Sequence, residues 1–262
     1  GLKSCCNCGN SSRSSAVNSN IRRSEGIYSI MKKTEYLPVV RECNRRFLVD
    51  GKIERKVAHS IPSVPHATVL IIPVFPDGKL LIEDRAEKHR MEGKFVPENG
   101  HVYNCFGGHM QYDDIPKNEY KDGIRIETFQ KCAYRELSEE LVCVSEQGYR
   151  LPFVPIMNRF IPISQYSVKS DTNKEYSWLF LYLLEDYGPY GAQDTVMTEQ
   201  GEKLVYQSAC VMTWEKLWSL YKNKEILDEI SFSDGIERIL ERNEGYELHF
   251  QLKHIANVCD EK

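Results

Sequence analysis

Ala67 to Phe75 is an almost unbroken apolar run, and Pro76-Asp77-Gly78 then leads into a returning stretch from Lys79 to Glu83. A Pro-Asp-Gly triplet favours a tight turn, so the pattern predicts a hairpin. The continuity of its first arm predicts a strand covered on both faces. Earlier in the chain, Phe47-Leu48-Val49, Asp50-Gly51 and Lys52 to His59 read as another hairpin, turning at Asp-Gly. Residues 86–104 are mixed and polar, with Gly93, Pro97 and Gly100, and read as a loop.

Helical periodicity is clearest from Ile124 to about Val142, where Phe129, Cys132, Ala133, Leu137 and Leu141 fall on one face. Phe153 to Ile163 and Tyr176 to Leu184 read as strands around a polar loop, and residues 185–202 as irregular chain. Leu204 to Met212 predicts a further strand. Thr213 is placed to cap a helix bearing Trp214, Leu217, Trp218 and Tyr221. A short helix over Gly235 to Leu240 follows. Tyr246, Leu248, Phe250 and Leu252 alternate with polar residues, which predicts a half-buried late strand. Strands mixed with two main helices imply an α/β (α+β) fold with a sheet packed between helices.

Composition narrows the setting. The chain has 262 residues and a net charge of −4, so no basic excess points to a nucleic-acid backbone. No apolar run approaches the ~20 residues of a spanning helix, so no membrane crossing is expected. Nine cysteines, several within apolar patterns (Cys105, Cys132, Cys143, Cys210), fit a reducing, cytoplasmic compartment better than a disulfide framework. Residues 1–25 are rich in Ser, Asn and Cys and are expected to form a flexible tail without the apolar core of a signal peptide. Cys5, Cys6 and Cys8 within it lack the second ligand pair that a zinc site needs.

The chemistry concentrates in Glu127 to Cys143. Glu136, Glu139 and Glu140 follow Arg135 at helical spacings that put them about one turn apart on one face. Like charges so placed repel, and a hard divalent cation would turn that repulsion into coordination. Upstream, Gly107-Gly108 can turn tightly and approach a ligand or metal closely. Glu127-x7-Arg135-Glu136-Leu137-x-Glu139-Glu140 resembles the Nudix box, G-x5-E-x7-R-E-U-x-E-E-x-G-U. The resemblance covers about residues 45–222 and implies an α/β/α sandwich with a mixed sheet. Residues 35–222 are read as that domain, and 223–262 as an extension packed on it.

Two departures stand out. Val142 replaces the glycine that commonly ends the box helix. If Gly108 is the leading glycine, residues 111–123 form an insertion long enough to cap the site.

His59, His66 and His109 lie at the ends of elements expected to converge, and imidazole suits a transition metal. A-H-S-I-P-S-V-P-H-A-T-V and N-C-F-G-G-H are similar to the isopentenyl-diphosphate isomerase-like Nudix branch. That similarity implies a second metal site of His59, His66, His109 and Glu175. The position of the isomerase's catalytic cysteine is Gly107 and that of a second acidic ligand is Asn173. Glycine cannot protonate, so the known isomerase route is not expected.

The resemblance implies hydrolysis of a phosphoanhydride in a nucleoside diphosphate linked to another moiety, dependent on Mg2+ or Mn2+. Glu136, Glu139, Glu140 and the Gly108 carbonyl are the expected metal ligands. Arg135 would orient Glu136, and Glu127 would steady the loop or Arg135. Glu136, Glu175, Asp113 and Asp114 all qualify as general base. Lys88, His89 and Arg90 could meet phosphates or face solvent. A small-molecule diphosphate is the expected partner, with a homodimer as an open assembly. A non-catalytic nucleotide or sugar-phosphate sensor and a minor prenyl-diphosphate isomerase reading stay open.

Overall fold

The computed structural model describes residues 34–242 and 246–260; the tail and its Cys5, Cys6 and Cys8 lie outside them. Tyr36–Cys43 (β1) and Arg46–Glu54 (β2) form the first hairpin. Its turn is Asn44-Arg45, both at positive φ, and not Asp50-Gly51. Two positive-φ residues match the twist of the flanking strands. Val39 pairs with Gly51 and Val40 with Val49, so Asp-Gly marks a bulge within β2. A four-residue helix, Arg55–Ala58 (α1), leads on to His66–Val74 (β3) and Leu80–Asp84 (β4), the hairpin expected at Asp77-Gly78.

All nine residues of β3 are buried, because its alternate side chains serve two different cores. Ala67, Val69 and Ile71 enter one cluster; Leu70, Ile72 and Val74 enter the other. The stretch read as a loop instead holds a helix, Ala86–Met91 (α2), and a strand, His101–Asn104 (β5). The insertion is not a free flap. It carries Glu119–Asp122 (α3), which packs on β2, and it buries Ile115 in the first core.

The box helix is Ile126–Glu140 (α4). Its N-terminus has no cap of its own. Glu119 reaches in from α3, accepting from Arg125 N at 2.9 Å and Thr128 Oγ1 at 2.8 Å. Glu119→Ala should therefore cost about 2 kcal/mol in urea unfolding, since both donors lose their acceptor. A cost below about 0.5 kcal/mol would show that water replaces the carboxylate. At the other end Leu141 is extended, and the chain passes directly into Leu141–Val144 (β6). Val142 is thus a strand residue, 2% exposed, and needs no left-handed conformation.

Arg150–Pro152 (β7), Phe160–Lys169 (β8) and Lys174–Leu183 (β9) follow, so residues 153–159 lie outside the strand expected to begin at Phe153. The supposedly irregular region contains Tyr190–Thr198 (β10), which pairs with Gly201–Met212 (β11). Thr213 caps Trp214–Lys222 (α5) by accepting from Lys216 N. Ile230–Phe232 (β12), Asp234–Glu241 (α6) and Tyr246–Asp260 (α7) complete the described chain. The late strand is therefore a helix. Leu248, Leu252 and Ile255 are buried at helical spacing, while Tyr246 and Phe250 are exposed.

The strands form one mixed sheet with a main path β2-β1-β3-β4-β11-β10-β6-β7. β9 lies parallel beside β3 with β8 beyond it, and β12 lies parallel beside β5. α4 packs in the core on one face. Residues of α5, α6 and α7 fill the core on the other. The result is an α/β sandwich with its sheet between helices.

Candidate functional site

α4 faces the segment joining β5 to the insertion, with Glu140 bonded to Gly107 N and Arg135 to the His109 carbonyl. Gly107 is at φ +128°, and a Cβ there would stand 2.1 Å from the Val69 carbonyl oxygen. A Cβ on Gly108 would stand 2.3 Å from Glu136 Oε2. At Gly107 the missing side chain lets the segment pass against β3, and at Gly108 it leaves room for the Glu136 carboxylate. Glu140 accepts from Gly107 N at 2.8 Å, while the Gly108 carbonyl accepts from Val69 N at 2.9 Å.

Arg135 ties this arrangement to its surroundings. Its Nη2 is 2.7 Å from Glu136 Oε1 and donates to the His109 carbonyl at 2.8 Å. Its Nη1 is 3.4 Å from Glu139 Oε2, and Asp114 of the insertion lies 3.8 Å from Nε. Glu136 and Glu140 are buried, but Glu139 is exposed. Glu127 is exposed on the first turn of α4, two helical turns from Arg135, and no contact joins them.

Folding also brings in residues that the sequence pattern did not reveal. Glu83 of β4 is fully buried and holds Arg85 Nε at 2.6 Å, which places Arg85 Nη2 3.7 Å from Glu140. Gln207 of β11 donates to the other Glu83 oxygen at 2.7 Å. Asp194 of β10 pairs with Lys88 and faces the same cluster, while Gln193 donates to the Glu139 carbonyl at 2.8 Å. A charged Glu-Asp-Arg run, Glu83-Asp84-Arg85 at the end of an apolar strand, was the one available signal. Of the basic trio, Lys88 is paired, and Arg90 donates to the carbonyls of Pro97, Glu98 and Gly100. His89 is half-buried.

Burial pushes the Glu136 carboxyl up to about 7, against the pull of Arg135. Burial, with Glu83 adding repulsion, also raises Glu140 well above the carboxylate range. For Glu136 the folded value exceeds the unfolded one, near 4.5. Its stabilising contribution is therefore complete below pH 4.5 and lost as pH rises through 7. Ionised at pH 8, it costs the fold at most about 3 kcal/mol. Glu136→Gln should make the chelator-treated chain more stable than native at pH 8 and leave it nearly unchanged at pH 5. Equal urea midpoints at both values would contradict this account.

The parallel pairing of β3 and β9 puts His66 in register with Glu175. His59 follows α1, and His109 bridges to Thr68 beside His66. One nitrogen from each of the three histidines lies within 4.8 Å of those of the others, and the Nε2 atoms of His59 and His109 are 2.9 Å apart. His66 Nδ1 is 2.8 Å from the Val64 carbonyl and must donate to it, which leaves Nε2 as a bare lone pair. That Nε2 is buried without a hydrogen-bond partner. Glu175 Oε1 lies 3.9 Å from it. Burial lowers all three histidine pKa values, which keeps the imidazoles neutral and ligand-competent.

The donor set fits a metal at the histidines: three convergent neutral nitrogens, one of them orphaned. Among the described residues, no carboxylate trio converges to the same degree. Glu136 and Glu140 at the glycine pair still fit a hard cation, being buried carboxylates whose charge needs compensation. Cys105 does not substitute for an isomerase thiol. It is 1% exposed in the α6–α7 core on the opposite face, and burial pushes it up to about 12.

No family model and no curated protein matches the chain. Among solved structures it is similar to DR0079 from Deinococcus radiodurans, at 15% identity and a TM-score of 0.42 over 79% of this chain and 98% of that one. It is also similar to Tm1382, a candidate Nudix hydrolase, at 16% identity and a TM-score of 0.35 over 66% and 70%. A MutT/nudix family protein from Enterococcus faecalis shares 14% identity at a TM-score of 0.30 over 72% and 67%. Likenesses of this size do not assign the chain to a family. No described helix is long and apolar enough to cross a membrane.

Proposed function

We propose that the chain is a Nudix-type hydrolase that cleaves a phosphoanhydride in a nucleoside diphosphate linked to another moiety, with Mg2+ or Mn2+. The observation that carries this reading is the seating of Glu136 and Glu140 against Gly107-Gly108, within a sequence that keeps the whole acidic box. Glu136, Glu140 and, after rotation of its exposed side chain, Glu139 would hold the cation. When bound, it would neutralise phosphate charge and lower the pKa of water. Arg135 holds Glu136 and the His109 carbonyl together, so it fixes the acidic arm relative to the histidine arm. Arg85, anchored by Glu83, supplies fixed positive charge beside Glu140.

Gly107 supports hydrolysis over isomerisation. Its position has no room for a Cβ, so the site lacks a protonating thiol at that point. The test is a panel of nucleoside diphosphate compounds plus isopentenyl diphosphate, read by phosphate release and product mass. Metal-dependent cleavage of at least one nucleoside compound is expected, with isopentenyl diphosphate unchanged. Tight binding of one compound without turnover across the panel would favour a sensor.

A further inference from the structure

We propose that a second ligand site, for a nucleoside monophosphate, lies on the sheet face opposite the box helix and is built around Asp84 and His101. It does not depend on hydrolysis. The site is a cavity of about 430 Å³ whose lining includes Asp84, Arg90, His101, Arg150, Tyr206 and Ser208. That size suits a small ligand. Strand pairing fixes the face. Asp84 lies opposite Tyr103 of β5, whose ring packs in the core with α5, α6 and α7, and Ser208 of β11 lies opposite Asp84. Directly paired residues share a face. Glu83, one position earlier, serves Arg85 and Glu140 on the other.

Asp84 is buried and fully engaged. Its Oδ1 accepts from Ala86 N at 3.1 Å and Val102 N at 3.0 Å, and its Oδ2 lies 2.7 Å from His101 Nδ1. An ionised carboxylate only accepts, so His101 Nδ1 carries a proton. The imidazole also stacks on Tyr103, with 5.4 Å between centroids and 5° between planes. Tautomer and ring plane are thereby set. His101 is partly exposed, and its Nε2 has no partner among the described residues. Such a nitrogen can accept from a protonated phosphate or, once protonated, donate to an ionised one, with Asp84 balancing the charge.

Further along β11 stands a planar cationic shelf. The Arg150 guanidinium lies 4.6 Å over the Tyr206 ring, and its Nη1 donates to the carbonyls of Ala192 at 3.1 Å and Gln207 at 3.2 Å. Its Nε and Nη2 have no acceptor among the described residues. Tyr206 is half exposed. Guanidinium and tyrosine planes both stack on nucleobases. Ser208 and Tyr206 are two residues apart on one face, a spacing of about 7 Å. A phosphate at His101 and Ser208 thus leaves a ribose to span to the shelf. Arg90 holds the rim by donating to the carbonyls of Pro97, Glu98 and Gly100. Of the glutamates on the lining, Glu87 pairs with Arg90 at 3.7 Å and Glu98 is exposed.

The experiment is calorimetric titration of the chelator-treated full chain with adenosine and uridine 5′-monophosphate, ribose 5-phosphate, inorganic phosphate and adenosine. One site per chain is expected, with at least one nucleotide binding about tenfold or more tighter than the three fragments. His101→Asn keeps a donor for Asp84 but removes Nε2, and should weaken the nucleotide about tenfold or more. Tyr206→Ala should weaken it to the level of ribose 5-phosphate. Glu140→Gln should leave it within about twofold, because the box lies on the other face. Should His101→Asn fail to fold, Tyr206→Ala and Glu140→Gln decide. Native affinity in either pocket variant would overturn the proposal, as would a tenfold loss in Glu140→Gln or no binding of either nucleotide by the folded native chain. Turnover is not read, so failure of the hydrolase reading would show separately.

Discussion

Glu140→Gln is expected to lower metal-dependent turnover on the order of a thousandfold while the chain stays folded. Glu140 is the box carboxylate most firmly built into the site: buried, accepting from Gly107 N, and facing Arg85. Replacing an ionised oxygen by an amide removes cation affinity but keeps shape and most hydrogen bonding. Loss of a ligand to a charge-neutralising metal is worth several kcal/mol in the transition state, and each tenfold is about 1.4 kcal/mol. Glu136→Gln should follow closely. Glu139→Gln should cost less, because that side chain is exposed and its ion pair among the described residues is with Arg135 at 3.4 Å. Initial rates with saturating Mg2+ would rank the three. If turnover survives both Glu139→Gln and Glu140→Gln, the assignment of the acidic box is wrong.

Alanine at Gly107 is the second large effect, and it falls on stability. The new methyl would sit 2.1 Å from the Val69 carbonyl oxygen, and φ +128° already strains any L-residue. That oxygen belongs to the buried centre of β3, so little can yield. A loss of about 4 kcal/mol or more in urea unfolding is expected, at the upper end for single substitutions. Gly108→Ala differs in kind. Its methyl meets the end of the Glu136 side chain at 2.3 Å, which can rotate away. The fold should survive with a smaller loss, and metal-dependent turnover should fall with the displaced carboxylate. Similar unfolding midpoints for the two variants would contradict this distinction.

Both predictions draw on features that were partly visible in the sequence. β3 was legible from its unbroken apolar run and α4 from the helical spacing of its apolar residues. The glycine pair and the arginine–glutamate spacing were legible as local chemistry. β10 was not. Only Ala192 and Val196 of its side chains face inward strongly, so the segment looks polar although it pairs with β11 from Ala192 to Thr198 and with β6 from Tyr190 to Ala192. α7 was misread because apolar residues two apart also satisfy a helix when every second one is exposed: Leu248 and Leu252 are buried, Phe250 is not.

The site divides along the same line. Residues on one element, such as Arg135 with Glu136, could be related by spacing. Glu83, Asp194 and Gln207 come from separate strands, and Glu175 comes from the strand beside His66. Their roles depend on the strand order β4-β11-β10 and on the parallel β3–β9 pair, neither of which periodicity encodes. The same long-range packing leaves Glu139 outside the cluster that its spacing suggested.

The most direct measurement is cleavage of the nucleoside diphosphate panel in 18O-labelled water with Mg2+ or Mn2+, analysed by mass. Metal-catalysed attack of water on phosphorus predicts one 18O in a phosphate-bearing product, present with native protein and lost with Glu140→Gln. Label incorporation that persists in Glu140→Gln, or no cleavage of any compound by the folded, metal-supplied chain, would contradict the account.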